Sequence, residues 1–201
     1  MRKRLKEHIQ GQIWLYVIVI TVLGIGLGLG ETRAAELTEG TKGFLSTIVD
    51  NFVAGKTSGI DQTSILASAL LSQVKTVGLM WFLGLTVVGI PLILGVVLIR
   101  SFSLGFTLGF LLKEKGKEGT ILVIASVLPQ NLVYLPLLVV AAVVSLSFSL
   151  FIIKGQFNKG TELWKGFFIY TFIMFLLLIG FGIGSLIEAY LAPSLTAWLL
   201  W

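Results

Sequence analysis

The sequence predicts an all-α polytopic membrane helical bundle of about five crossings with broken or re-entrant helices, and three observations predict it. Hydrophobic residues make up 56% of 201 residues and charged residues only 12%, with a mean hydropathy of +0.97, more apolar surface than a water-soluble domain can cover. The apolar residues fall into long runs separated by short charged stretches, and a chain of this length holds about four to six spans of roughly 20 residues. Between Gly78 and Asn131 the runs carry Pro91, Pro129, Gln130 and Asn131, with Pro136 just beyond. Polar punctuation at bilayer depth needs neighbouring helices or a water-lined cavity to satisfy the backbone it frees.

Residues 1–201 read as a single membrane domain: a cytoplasmic tail 1–12, an extracytoplasmic loop 31–75 and a helical membrane core 78–192. The basic start MRKRLKEHIQGQ precedes the apolar run Ile13 to Gly30, and Arg33-Ala34-Ala35 is a poor cleavage site, so the run reads as an uncleaved signal anchor. Its glycines form two small-xxx-small pairs, Gly24 with Gly28 and Gly26 with Gly30, and Gly105/Gly109 and Gly180/Gly184 repeat the spacing. These are helix contacts rather than a nucleotide loop, for which a strand is missing.

From Glu31 to Lys75 the polarity changes. Phe44, Leu45, Ile48, Val49 and Phe52 recur at helical spacing and stop near Gly55, and Asp61 is a good N-cap for a second helix carrying Ile65, Leu66, Ala69, Leu70 and Val74. Such faces lie on lipid, pack on the bundle or dock a partner. The next span is expected from Gly78 to Ile99, kinked near Pro91, with Trp81 near its outer end and Arg100 snorkelling at its inner end. Ser101 to Leu112 is short for a crossing. Ile121 to Ile153 is long for one and reads as a half-helix followed by a full helix. With Lys154, Lys159 and Lys165 cytoplasmic, the last span runs from Gly166 to Ile187 and five crossings result. Five crossings are expected to put Arg100 and Glu188 on opposite faces; a re-entrant Ser101 to Leu112, leaving four, allows them to pair.

Catalytic constellations are missing. The chain has no Cys and one His, His8, no HExxH, GxSxG or Walker loop, and no paired acids within a span, so it reads as a non-enzyme without cofactor or metal. Serines in apolar helices bond back to carbonyls or across to other helices. The formal charge of +5 sits beside apolar runs, which points to lipid headgroups and not to nucleic acid.

The order of GLMW (78–81), VGIPLIL (88–94), GFTLGFL (105–111), SVLPQN (126–131) and SLIEAY (185–190) with Pro193 resembles the stage II sporulation protein M family of endospore-forming bacteria over nearly the whole chain. Wider relatives tend to carry Pro-His-Gly and a nearby Glu where this chain has Gln130, Asn131 and Tyr134. That departure argues against carrying over acidic or histidine chemistry. The resemblance implies a multi-pass protein of the mother-cell septal and engulfing membrane that holds the peptidoglycan-degrading stage II sporulation proteins D and P, with self-association into a homo-oligomer a further expectation. Phe44, Ile48, Phe52 and Asp61 are the expected docking residues, and Pro91, Pro129, Gln130, Asn131 and Pro136 the structural membrane motif. The competing expectation is a permease-like transport subunit served by a separate ATPase, since broken helices line substrate sites in such proteins.

Overall fold

A computed structural model describes residues 2–53, 62–153 and 160–200, and helix dominates them. The elements are α1 (Arg2–Ala35), α2 (Glu39–Val53), α3 (Gln62–Gly84), α4 (Gly89–Glu114), α5 (Gly116–Leu122), α6 (Leu128–Ile153), α7 (Gly160–Leu186) and α8 (Ala192–Leu200). Two π-helical turns, Val123–Val127 and Ile187–Leu191, join α5 to α6 and α7 to α8. Among the described residues five segments are long and apolar enough to cross a membrane: Ile13–Ala35, Gln62–Gly84, Gly89–Glu114, Gly116–Ile153 and Leu163–Leu195. The chain is a multi-pass all-α membrane bundle.

The spans are divided differently from the pattern of hydropathy. Residues 78 to 99 do not form one kinked crossing; they contain a tight turn at 85–88 that folds α3 against α4 as a hairpin. Trp81 therefore lies beside the turn, and Arg100 sits near the middle of α4 instead of at a span end. Pro91 lies in the first turn of α4, where a missing N–H costs nothing, and it introduces no kink inside a span. Ser101 to Leu112 is the second half of this crossing, and 62–75 belongs to α3, which shortens the loop to the residues between α1 and α3.

The hairpin turn is itself apolar, and other helices satisfy its backbone. Thr86 N and Oγ1 both bond Leu83 O at 3.0 and 2.9 Å, Ser149 Oγ donates to Thr86 O at 2.7 Å, and Tyr170 OH donates to Trp81 O at 2.9 Å. Ser149 and Tyr170 thus do the work that water does at a soluble turn. Tyr170 also stacks on Phe148 with ring centroids 4.4 Å apart, so the α6–α7 pair clamps this end of the bundle.

Helix α1 packs along α4 in parallel: Gly26 meets Ser101, Gly30 meets Gly105 and Phe106, and Gly109 meets Glu31 and Ala34. Helices α6 and α7 run antiparallel, pairing Leu137 with Gly180 and Tyr134 with Gly184. Met80, Ile93, Val97, Leu146, Val143 and Phe181 are fully buried between these layers. Segment Gly116–Ile153 is continuous over 38 residues, about 57 Å of helix against a hydrocarbon core of about 30 Å. Its interruption is a wide turn and not a separate half-helix: Leu128 N–H bonds Val123 O, five residues back, directly before Pro129. Ala192 N–H bonds Ile187 O in the same way before Pro193. A wide turn shifts the hydrogen-bonding register where proline has no N–H to offer. Pro136 remains inside α6.

Candidate functional site

A cavity of about 490 Å³ opens near mid-height of the bundle between α3, α4, α6 and the end of α7. Its walls are polar for this depth: Ser72, Gln73 and Thr76 from α3, Arg100, Ser103 and Thr107 from α4, Gln130, Asn131 and Tyr134 from α6, and Glu188 from the second π-turn. Spacing explains the first two sets. Ser72 and Thr76 stand one turn apart, as do Ser103 and Thr107, so each pair shares one helical face.

Arg100 reaches across to α3. Its Nη2 donates to Ser72 O at 3.2 Å, to Ser72 Oγ at 3.1 Å and to Thr76 Oγ1. Nε and Nη1, which carry three further N–H groups, have no protein acceptor among the described residues. Opposite, Tyr134 OH donates to Glu188 Oε2 at 2.8 Å and lies 3.1 Å from Ser185 Oγ. Glu188 Oε1 has no protein donor. Gln130 Oε1 is buried and unpartnered. The two amides of the LPQN stretch therefore differ: Asn131 Nδ2 donates to Val127 O at 2.7 Å, tying the π-turn down, whereas Gln130 leaves its carbonyl in the cavity wall.

Arg100 and Glu188 line one cavity in a five-span bundle, which corrects the expectation that five crossings separate them. Arg100 starts near mid-helix, and Glu188 lies level with Gln130 because α7 antiparallels α6. Among the described residues neither takes part in an ion pair. The chemistry on offer is a set of unused donors facing a set of unused acceptors. No group of three or more metal-binding side chains occurs among the described residues.

The expected docking residues lie elsewhere. Helix α2 crosses the end of the bundle opposite the 85–88 turn; Leu45 and Val49 turn inward onto Ala34, Phe110 and Leu111, while Phe44 and Ile48 are 67% and 50% exposed. Phe52 is in the last turn of α2, and Asp61 lies outside the described residues. Ion pairs Lys42–Glu114 (3.4 Å), Lys113–Glu31 (3.7 Å) and Lys115–Asp50 fasten this end to α4. Lys42 also pairs with Glu39 at 3.2 Å; the hydrogen bond to Glu39, then the charge of Glu114, hold its ammonium pKa above the ordinary 10.5. Beneath α2 runs an apolar groove of about 310 Å³ between Leu45, Ile48, Val49 and Phe106, Phe110, Leu122, and it shares Thr107 and Val127 with the polar cavity.

Sequence reasoning missed Ser72, Gln73 and Thr76 because the first two were assigned to the loop 31–75 and Thr76 fell between that loop and the span expected from Gly78. Their signal was present: a polar SQxxT spacing inside an otherwise apolar helical period. Comparison with known proteins decides the family. The family model for stage II sporulation protein M matches residues 13–193. The chain belongs to this family. Membership in the stage II sporulation protein M family makes it a sporulation-related membrane protein, and the matched range takes in the cavity, the first four spans and all but the last two residues of the fifth. Comparison with curated proteins and with solved structures produced no match.

Proposed function

We propose that this chain is a membrane anchor of the engulfment machinery, which recruits peptidoglycan-degrading enzymes, the stage II sporulation proteins D and P, to the septal and engulfing membrane. The observation that carries this reading is α2: an amphipathic helix held across one end of the bundle, with Phe44 exposed on it and Ile48 half exposed where it lines the groove beneath. Paired exposed apolar residues on a tethered helix are the kind of anchors that partner helices or loops bury. Charge supports the sidedness. Among the described residues the end with α2 carries Glu31, Glu36, Glu39, Asp50, Glu114 and Glu118 against Arg33, Lys42, Lys113, Lys115 and Lys117, while in the sequence Arg2, Lys3, Arg4 and Lys6 begin the chain and Lys154, Lys159 and Lys165 fall at the α6–α7 connection. Under the positive-inside bias the α2 end faces the wall. The gain is effective concentration: a multispan anchor confines hydrolases beside their polymer without supplying a catalytic group.

Replacing Phe44 and Ile48 together by Asp, with membrane insertion checked, is expected to weaken co-purification of the hydrolases by at least about tenfold. Undiminished co-purification overturns the reading. Because the chain has no Cys, single cysteines at Ser46, Gly116, Asn158 and Ala197 report sidedness with an impermeant thiol reagent; Ser46 shielded on the outer side does the same damage.

One observation favours a second reading, a transport subunit working with a separate ATPase. That observation is the polar cavity at mid-height. A Gln130→Ala, Asn131→Ala pair that accumulates normally and still binds the hydrolases, yet blocks sporulation, favours it; loss of accumulation favours a structural role for both amides.

A further inference from the structure

We infer that the polar cavity and the apolar groove beside it form one site for a zwitterionic amphiphile, a phospholipid whose head pairs a phosphate with a primary ammonium. The inference does not rest on the anchor reading. Three orphan groups define the head. Arg100 Nε and Nη1 lack acceptors, while Glu188 Oε1 and the buried Gln130 Oε1 lack donors. In a water-poor interior each unmade bond is costly, and the cost is greater for charged groups.

A purely anionic ligand satisfies Arg100 but brings its charge against Glu188 and leaves Gln130 Oε1 without a donor. A purely cationic one does the reverse. One molecule that carries acceptor oxygens at one end and N–H donors a few bonds away completes both sides, and phosphoethanolamine has that layout. A quaternary ammonium does not, because it has no N–H to give Gln130 or Glu188. The charges already present, one cation and one anion in the same wall, match a zwitterion in sum as well as in detail.

The tail follows from continuity. Thr107 and Val127 belong to both cavities, so an acyl chain leaving the head passes Thr107 and lies among Leu45, Ile48, Val49 and Phe110 beneath α2. Ile99, Ser103 and Thr107 are exposed along α4, which leaves the site open sideways for entry from the bilayer. A free soluble zwitterion shares the head chemistry but has no use for the groove.

The test equilibrates the detergent-purified full chain with vesicles of phosphatidylethanolamine, phosphatidylcholine or phosphatidylglycerol and reads retained lipid by native mass spectrometry. Phosphatidylethanolamine is expected to be retained at least about tenfold better than either other lipid, as charge-assisted hydrogen bonds warrant. Arg100→Gln and Glu188→Gln are each expected to remove that preference. Ile48→Trp, an exposed position that lines the apolar groove and not the polar cavity, is expected to block the lipid while leaving direct binding of O-phosphoethanolamine unaltered, which keeps the test informative if the charge variants do not fold. Equal retention of the three lipids overturns the proposal. So does an Ile48→Trp protein that holds phosphatidylethanolamine as tightly as the parent, or free O-phosphoethanolamine binding as tightly as the lipid, which makes the site one for a soluble zwitterion.

Discussion

Helix α4 presents two faces that were built by opposite means. Toward α1 it offers Ser101, Gly105 and Gly109, and the backbones come so close that a Cβ on Gly105 would strike Leu27 O and one on Gly30 would strike Phe102 O. Toward α3, α6 and α7 it offers Arg100, Ser103 and Thr107 and stands off far enough to leave a cavity. In lipid there is no hydrophobic gain from pressing two apolar helices together, so close approach of small residues and satisfied polar groups decide association. One face is dry and filled by backbone; on the other, Arg100 bonds α3 through Nη2 alone and keeps Nε and Nη1 toward the cavity.

Substitution separates the two faces, and the largest effect is expected on the dry one. Gly105→Leu forces α1 away along a surface with no room to relax and is expected to cost about 3 kcal/mol or more, seen as loss of monodisperse protein in detergent. Gly24 and Gly28 stand on the same α1 helix with nothing within 4 Å, and Gly24→Ala is expected to be neutral or to stabilise by up to about 1 kcal/mol through helix propensity. Equal damage at Gly24 and Gly105 removes the contrast.

On the cavity face the expected effect is intermediate. Tyr134→Phe removes the donor to Glu188 Oε2 and is expected to lower stability by about 1.5–3 kcal/mol, the range for hydrogen bonds to charged groups, with a matching fall in melting temperature. A variant that melts like the parent places Glu188 in contact with something other than Tyr134.

The smallest effect belongs to the tether of α2. With the Lys42 pKa raised above 10.5 in the folded protein, its ion pairs are complete below pH 10.5 and are lost as pH rises through the higher folded-state value. A spin label on Thr47→Cys is expected to become more mobile over that alkaline range and to be mobile at all pH values in Lys42→Gln. Added salt is expected to act in the same direction, since Lys42 and Glu114, which join α2 to α4, are both part-exposed and such pairs are screened. A label indifferent to all three leaves α2 held by Leu45, Val49 and the Lys115–Asp50 pair, with no share for Lys42.

The membrane bundle was legible in the chain, and so was α2, because its apolar residues keep helical spacing between Glu39 and Val53. The hairpin was not. Leu85, Val87 and Val88 are as apolar as the spans they join, and a turn among such residues survives only because Ser149 and Tyr170, more than 60 residues away in sequence, bond its carbonyls. Once that turn was read as helix, Arg100 looked like a span end and Ser72 and Gln73 like loop. Pro129 and Pro193 announced interruptions, but whether a proline breaks a helix or is absorbed by a wide turn depends on what packs beside it, here α8 against the first π-turn. The glycine spacings were equally ambiguous: of the two pairs on α1, one meets α4 and the other meets nothing.

By itself the sequence determined that this protein is helical and lives in lipid, because run length and composition are local and a backbone without water must bond within its own segment. Only the tertiary structure decided which apolar run folds back, which glycines touch, and that Arg100, Gln130, Tyr134 and Glu188 share a cavity. Those outcomes depend on donors and acceptors from separate helices meeting across space, a distance that no local pattern encodes.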